Sequence, residues 1–412
     1  MDYQKTKAIN LLRENRFDIN AKTMYGRHRE KSVQSNFYKA LYLSHIKAWN
    51  NFYEREPKKN SPQDFINAFD SVLDSVKDEG FLNYEKNYVP TKNGYVYNGA
   101  HRVASSIVYD KDVVYKEDDR EGQLDCSYKF FKQIGLHDIF LDEMALEFVR
   151  NKDNVYTINL FAPTEAGIAE ANKIISKYSD IVLEKNVNLT TIGKLNYIVN
   201  LYEGERWIGN YQNGFVGAKS KAGACFGQSK NLVFYLVTTS DPDSLLKCKE
   251  ELRKYFGRDK HSVHINDTQE ETWRAASTML NKNSLFFLNT CRYPRMDKFN
   301  FLFEEYLKFL SDKNKEDFCI SSSAVMSLFD LRDCNDIDYL CHDEEYADLK
   351  NEYYASHEDQ LKYYSLSKDD IIFNSMNHLY FRGVKFSTIK VVQEMKKNRK
   401  EQKDYNDLRI IG

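Results

Sequence analysis

The sequence predicts a multidomain mixed α/β protein, and three observations carry that expectation. The chain has 412 residues, which at roughly 100–200 residues per domain is enough for about two to four domains. Its composition is 42% hydrophobic, 29% charged and 14% aromatic, a globular balance that excludes wholesale disorder, collagen and disulfide-rich miniproteins. Only 6 prolines and 17 glycines occur, fewer than average usage, which argues against an all-β sandwich whose many tight turns consume both. Helix-like and strand-like patterns then divide the chain into residues 1–150, 151–295 and 296–412.

The first stretch opens as a helical lead-in from Tyr3 to about Gly80. Phe37, Leu41, Tyr42, His45, Ile46 and Trp49 recur at three- and four-residue steps, as do Phe65, Ala68, Phe69, Val72 and Val76 after a Ser61-Pro62 start that reads as N-cap and first-turn proline. Short strands follow at Asn87–Pro90 and Gly94–Tyr97 around Asn93-Gly94, the strongest short hairpin cue. The acidic stretch Lys116–Glu121 reads as a solvated loop.

In the second stretch, strands Val155–Leu160, Leu232–Thr238, Ser262–Ile265 and Leu285–Leu288 alternate with helices Thr164–Tyr178, Pro242–Phe256 and Thr268–Leu280. The strands are nearly continuous apolar runs, as buried parallel strands are. Gly214–Gly227 is rich in small residues and lysine but lacks the terminal Gly-Lys-Ser/Thr of a Walker loop, so it reads equally as phosphate contact or surface loop. His261 and His264, three apart in extended chain, face opposite sides and make a poor metal pair. Asp267 and Glu270 suggest a helix cap instead. The aromatic helix Phe299–Leu310 leads into the third stretch.

Composition bounds the partners. Lys+Arg 59 against Asp+Glu 61 gives a net charge of −2, without the basic excess of a nucleic-acid-coating protein, so nucleic acid is not expected as a partner. The basic run Lys396–Lys400 reads as a solvated helix face. No apolar run approaches the ~18 residues of a membrane span. The start, Met1-Asp2-Tyr3-Gln4-Lys5, lacks the apolar core of a signal peptide. The expectations are therefore no membrane insertion and a cytoplasmic location. The 7 cysteines are scattered without a C-x-x-C pair, which fits reduced thiols better than a disulfide frame or a zinc ribbon.

The strongest chemical signal is Phe318–Leu340. It reads as a short strand, a serine turn (Ser321-Ser322-Ser323) opening a helix, and a second strand carrying Asp336 and Asp338. Alternation puts both carboxylates on one face. Two such groups cannot easily share a dry site without a cation, and Mg²⁺ favours one or two carboxylates plus substrate phosphates. A serine turn at a helix start offers N–H groups and hydroxyls to phosphate. This arrangement resembles the nucleotidyltransferase fold of the DNA polymerase β superfamily, whose signature is a Gly-Ser or Ser-Ser turn followed one helix later by an Asp-x-Asp strand. Ser322, Ser323, Asp336 and Asp338 match it. The hairpin Asn377–Phe386 and the closing Arg399, Lys403-Asp404 and Asp407-Leu408 look like the ending of many small members. The resemblance covers about 100 residues. It implies Mg²⁺ held by Asp336 and Asp338, and a nucleoside triphosphate as substrate, held by Ser322 and Ser323. The family's third carboxylate is missing from Leu379–Phe386, and Asp370 is the substitute.

A second signal is Asn98-Gly99-Ala100-His101-Arg102-Val103-Ala104. Asn-Gly allows a tight turn, and His101 and Arg102 at a helix start aim donors at an anion. The motif resembles the Gly-x-His-Arg turn of the ParB/sulfiredoxin-like fold, which includes small-molecule kinases. It implies phosphate binding by His101 and Arg102, with Glu85 as a candidate base. An alternative has His101 capping the helix and Arg102 pairing with Glu117 or Asp118.

The expected function is Mg²⁺-dependent nucleotidyl or phosphoryl transfer from an NTP to a small sugar-like or phosphorylated metabolite, with surface-polysaccharide biosynthesis as the pathway by analogy. One rival is a ParB-like small-molecule kinase with a non-catalytic C-terminal domain. Another is a toxin–antitoxin or defence nucleotidyltransferase, or a nucleotide sensor.

Overall fold

The structure is a computed structural model that describes residues 3–80, 88–118 and 124–412. Glu85, Asn87 and the Asp119–Glu121 end of the acidic stretch lie outside the described residues. The protein is mixed α/β, as its composition predicts. It divides into two compact units, one running through Asn154 together with Asp180–Leu183, the other Val155–Ser179 with Glu184–Gly412. The expected boundary near residue 295 falls inside the second unit. Among the described residues, no helix is long and apolar enough to cross a membrane.

The first unit packs helices Asp18–Glu30, Phe37–Asn50, Pro62–Glu79 and Ala100–Val108 with a four-stranded sheet. The helix at Pro62 starts as its sequence dictates: the Ser61 hydroxyl accepts from Asp64 N, and the Asp64 carboxylate accepts from Ser61 N, a reciprocal cap. The lead-in is not all helical, because Gln4–Lys7 forms an edge strand antiparallel to Asp112–Glu117. Its alternating Gln-Lys-Thr-Lys is polar throughout, so hydrophobic periodicity could not reveal it. The Asn-Gly hairpin forms between Val89–Lys92 and Tyr95–Val96. Asn93 and Gly94 have φ of 53° and 77°, the left-handed pair of a type I′ turn. Glu117 accepts from the Asn93 and Gly94 N–H groups at 3.0 and 3.1 Å. At the centre of this unit Asp18 is buried between Arg16 and Lys22, each 2.8 Å away.

The second unit opens with a sheet of Asn231–Thr238, Val155–Phe161 and Val263–Ile265, flanked beyond Asn231–Thr238 by the strand Asp180–Asn188, which belongs to this unit from Glu184 on. Val155–Phe161 pairs antiparallel with both Asn231–Thr238 and Val263–Ile265, so the parallel expectation is wrong. Burial on both faces makes an antiparallel strand as continuously apolar as a parallel one. Leu285–Leu288 lies in a helix, Lys282–Thr290, capped by Asn281. The helix cap expected at Asp267 is one residue later, at Thr268, whose hydroxyl accepts from Glu271 N. The surface-loop reading of Gly214–Gly227 fails, because Val216–Phe226 is a helix.

The same unit ends in a five-stranded sheet ordered Tyr354–Ser356, Ile337–Cys341, Phe318–Ile320, Val384–Ser387, His378–Phe381. Its core gathers Phe299, Phe303 and Tyr306 of helix Asp297–Phe309 against Ile320, Tyr339 and Phe386. Each such side chain contributes about 1.5–3 kcal/mol on burial. That core fixes the two strands from which the serine turn and the Asp-x-Asp pair project.

Candidate active site

The serine turn follows directly from strand Phe318–Ile320. Ser321 N donates to Asp338 O at 2.8 Å, which locks the turn to the carboxylate strand. Ser322 begins the helix Ser322–Leu328 with φ 56°. This left-handed backbone costs a non-glycine residue about 1–2 kcal/mol and explains why glycine suits such a position. Ser322, Ser323, Asp336 and Asp338 all line one cavity of about 460 Å³.

The electrostatics of that cavity are divided. Burial and the neighbouring Asp338 charge raise the Asp336 carboxyl above its ordinary value. Burial also raises Asp338, against a hydrogen bond from Ser322 and the Arg399 charge. Two carboxylates pushed toward protonation, both by burial and Asp336 also by the Asp338 charge, suit a hard divalent cation. Among the described residues no cluster of three or more His, Cys, Asp or Glu is disposed to hold a metal. An ion here would therefore draw its remaining ligands from substrate and water.

Arg332, Lys350, Lys396, Arg399 and Lys403 also line the cavity. Three of these cations are fastened by the last helix, Gln402–Ile411. Asp407 takes Arg332 through two bonds of 2.6 and 2.8 Å and Lys396 at 2.7 Å. Asp404 takes Arg399 through bonds of 2.7 and 3.0 Å. Burial would raise these two carboxyls, but the cations and hydrogen bonds outweigh it and hold both below their ordinary value. Lys396 is buried, so reading the basic run as a solvated face fails for it. The signal available in sequence was Lys403-Asp404 and Asp407 behind the basic run, a pairing that helix–helix contact alone completes.

A further cavity residue that sequence reasoning missed is His357. It follows the short strand Tyr354–Ser356, which runs parallel to Ile337–Cys341 with Ala355 in register with Asp338. His357 N donates to Tyr339 O at 2.8 Å, continuing the ladder. By alternation Ala355 and His357 share the face of Asp336 and Asp338. Asp370 does not join them. It sits in the first turn of helix Lys368–Phe373, where its N–H and carboxylate bond Ser367 at 3.1 and 3.0 Å, and it is not among the cavity's lining residues.

In the other unit, Gly99 has φ 90° and precedes helix Ala100–Val108, as its motif predicts. The His101 Nε2 lies 3.0 Å from the Tyr42 hydroxyl, and its ring packs 4.6 Å from that of Phe69. Burial, with Lys22 and Lys59 nearby, holds His101 well below the ordinary histidine value, so it is neutral and offers an anion no charge. Arg102 donates to Tyr88 O at 3.0 Å; Glu117 caps the hairpin turn instead of pairing with it. In the central sheet, burial and Lys249 push His264 down to about 3, and its ring meets Tyr202 edge-on at 4.7 Å. Compared with known protein families, curated proteins and solved structures, the chain finds no significant match.

Proposed function

We propose that the C-terminal cavity binds a magnesium–nucleoside triphosphate and transfers its nucleotidyl or phosphoryl group to a small hydroxylated or phosphorylated metabolite. One observation carries this reading: two carboxylates and a serine turn share a single cavity with a set of fastened cations. Asp336 and Asp338 would hold the metal, and Ser322 and Ser323 would contact the phosphates. Lys396 and Arg399, held by Asp404 and Asp407, would face the remaining phosphate charge. A divalent cation held by Asp336 and Asp338 would supply neutralisation of the charge that develops on the leaving group. The protein's own contribution is positioning and fixed charge, which dominate phosphoryl transfer generally.

A thermal-shift panel of the four NTPs with and without Mg²⁺ tests this on wild type and on Asp336→Ala/Asp338→Ala. A ligand at 100 times its Kd stabilises the native state by about 2.7 kcal/mol. The expected result is a magnesium-dependent rise in Tm with at least one nucleotide, abolished in the double variant. A rise that survives in the double variant, or no rise with any nucleotide, overturns the reading.

A further inference from the structure

In-line attack by a hydroxyl on phosphorus needs a destination for the hydroxyl proton. Most titratable groups lining the cavity are committed elsewhere. Asp336 and Asp338 are assigned to the metal. Lys396 and Arg399 are held by Asp404. Glu358 receives Lys368 at 3.0 Å and Glu401 receives Lys403 at 3.1 Å. Asp348 and Asp359 are exposed to solvent.

His357 differs from all of these. It is 5% exposed yet lines the cavity, on the face that carries Asp336 and Asp338. Its Nδ1 lies 2.9 Å from the Tyr364 hydroxyl, which lies 2.8 Å from Ser321 Oγ, itself 3.0 Å from Ser387 Oγ. All four residues are buried. The chain of hydroxyls ties the imidazole to the same Ser321 whose N–H is bonded to Asp338 O. With Nδ1 committed to Tyr364, Nε2 is the nitrogen left to face a ligand.

We propose that His357 is the proton acceptor of the transfer, oriented by Tyr364. This rests on the reading of the cavity as a magnesium–nucleotide site. The acceptor's O–H bond breaks, its proton passes to His357 Nε2, and the oxygen forms a new bond to the α-phosphorus. The bond from that phosphorus to the bridging oxygen breaks, and pyrophosphate leaves with the electron pair. The imidazolium returns its proton to water once product departs. Burial and the Arg399 charge hold the free ring down to about 4, so it is neutral at physiological pH and has the basicity of an ordinary carboxylate.

The test measures pyrophosphate release from each NTP with Mg²⁺ and a hexose-phosphate mixture, using wild type, His357→Gln, His357→Gly and Tyr364→Phe. His357→Gln is expected to lower release by about 10²–10⁴-fold while keeping the wild-type magnesium–nucleotide Tm shift. Added imidazole is expected to restore release in His357→Gly, and Tyr364→Phe to show a smaller loss than His357→Gln. Release at the wild-type rate in His357→Gln overturns the inference alone. So does loss of release together with the Tm shift, the mark of a structural role, or failure of imidazole to rescue. Absence of release by wild type with any nucleotide overturns the inference, and absence of the magnesium–nucleotide Tm shift as well overturns the reading beneath it.

Discussion

Asp336 and Asp338 are held side by side against their own electrostatics. Both carboxyls lie above their ordinary value, chiefly from burial. A raised carboxyl favours the native state when protonated, so its contribution is full below the unfolded value and is lost as pH rises through the folded one. Above the folded values both are charged and subtract stability. Asp336→Asn and Asp338→Asn should each raise the metal-free Tm at pH 7 and abolish the magnesium–nucleotide shift, which calorimetry with and without ligand reads directly. Asp404 and Asp407 run the other way, since both are lowered. Their contribution is present above the unfolded carboxylate value of about 3.9 and disappears as pH falls through the lower folded one. Asp407→Asn leaves Arg332 and Lys396 short of a buried partner, at an expected loss of about 3–5 kcal/mol. Urea unfolding at neutral pH should show that loss, and the gap to wild type should narrow in acid. The four residues of the serine turn and the Asp-x-Asp strand were legible because each pair is local in sequence. His357 was not, because only the pairing of a three-residue strand carries it beside Asp338.

At the level of elements, small residues misled the sequence reading in one instructive place. Val216–Phe226 contains Gly217 and Gly223 and has the composition of a loop, yet it is a helix packed on the turn at Arg206–Ile208. Gly217 shows why glycine is there: a Cβ would sit 1.9 Å from Trp207 O. Gly223 has nothing within 4 Å. Gly217→Ala should therefore destabilise by about 1–3 kcal/mol through overpacking, while Gly223→Ala should stabilise by up to about 1 kcal/mol through helix propensity. Chemical denaturation of the two variants separates space from propensity within one helix. Strand direction was equally hidden, because Val155–Phe161 is buried on both faces and its run of apolar residues is indifferent to its neighbours' orientation. Elements with explicit punctuation were legible to within a residue or two, as at Ser61-Pro62 and Asn93-Gly94.

For the whole molecule, the division into two units implies that stability is not one number. Differential scanning calorimetry should resolve two transitions. Magnesium–nucleotide should raise, and Asp407→Asn should lower, only the one that reports the unit beginning at Val155. A single transition shifted as a whole by either change would mean the units unfold together. The composition foretold a chain of several α/β parts, but the boundary near residue 295 was read from a Tyr-Pro-Arg break that the second unit spans without separating.

The fastening of Lys396 and Arg399 by the last helix also sets a schedule for the protein's synthesis. Asp404 is made 404 − 338 = 66 residues after Asp338, an interval of roughly 3–13 s at ordinary ribosomal speeds. For that time the carboxylate strand exists without the counter-charges that steady its cations. A nascent chain stalled short of Gln402 would carry the Asp336–Asp338 pair and the basic run, but not the clasp that steadies them.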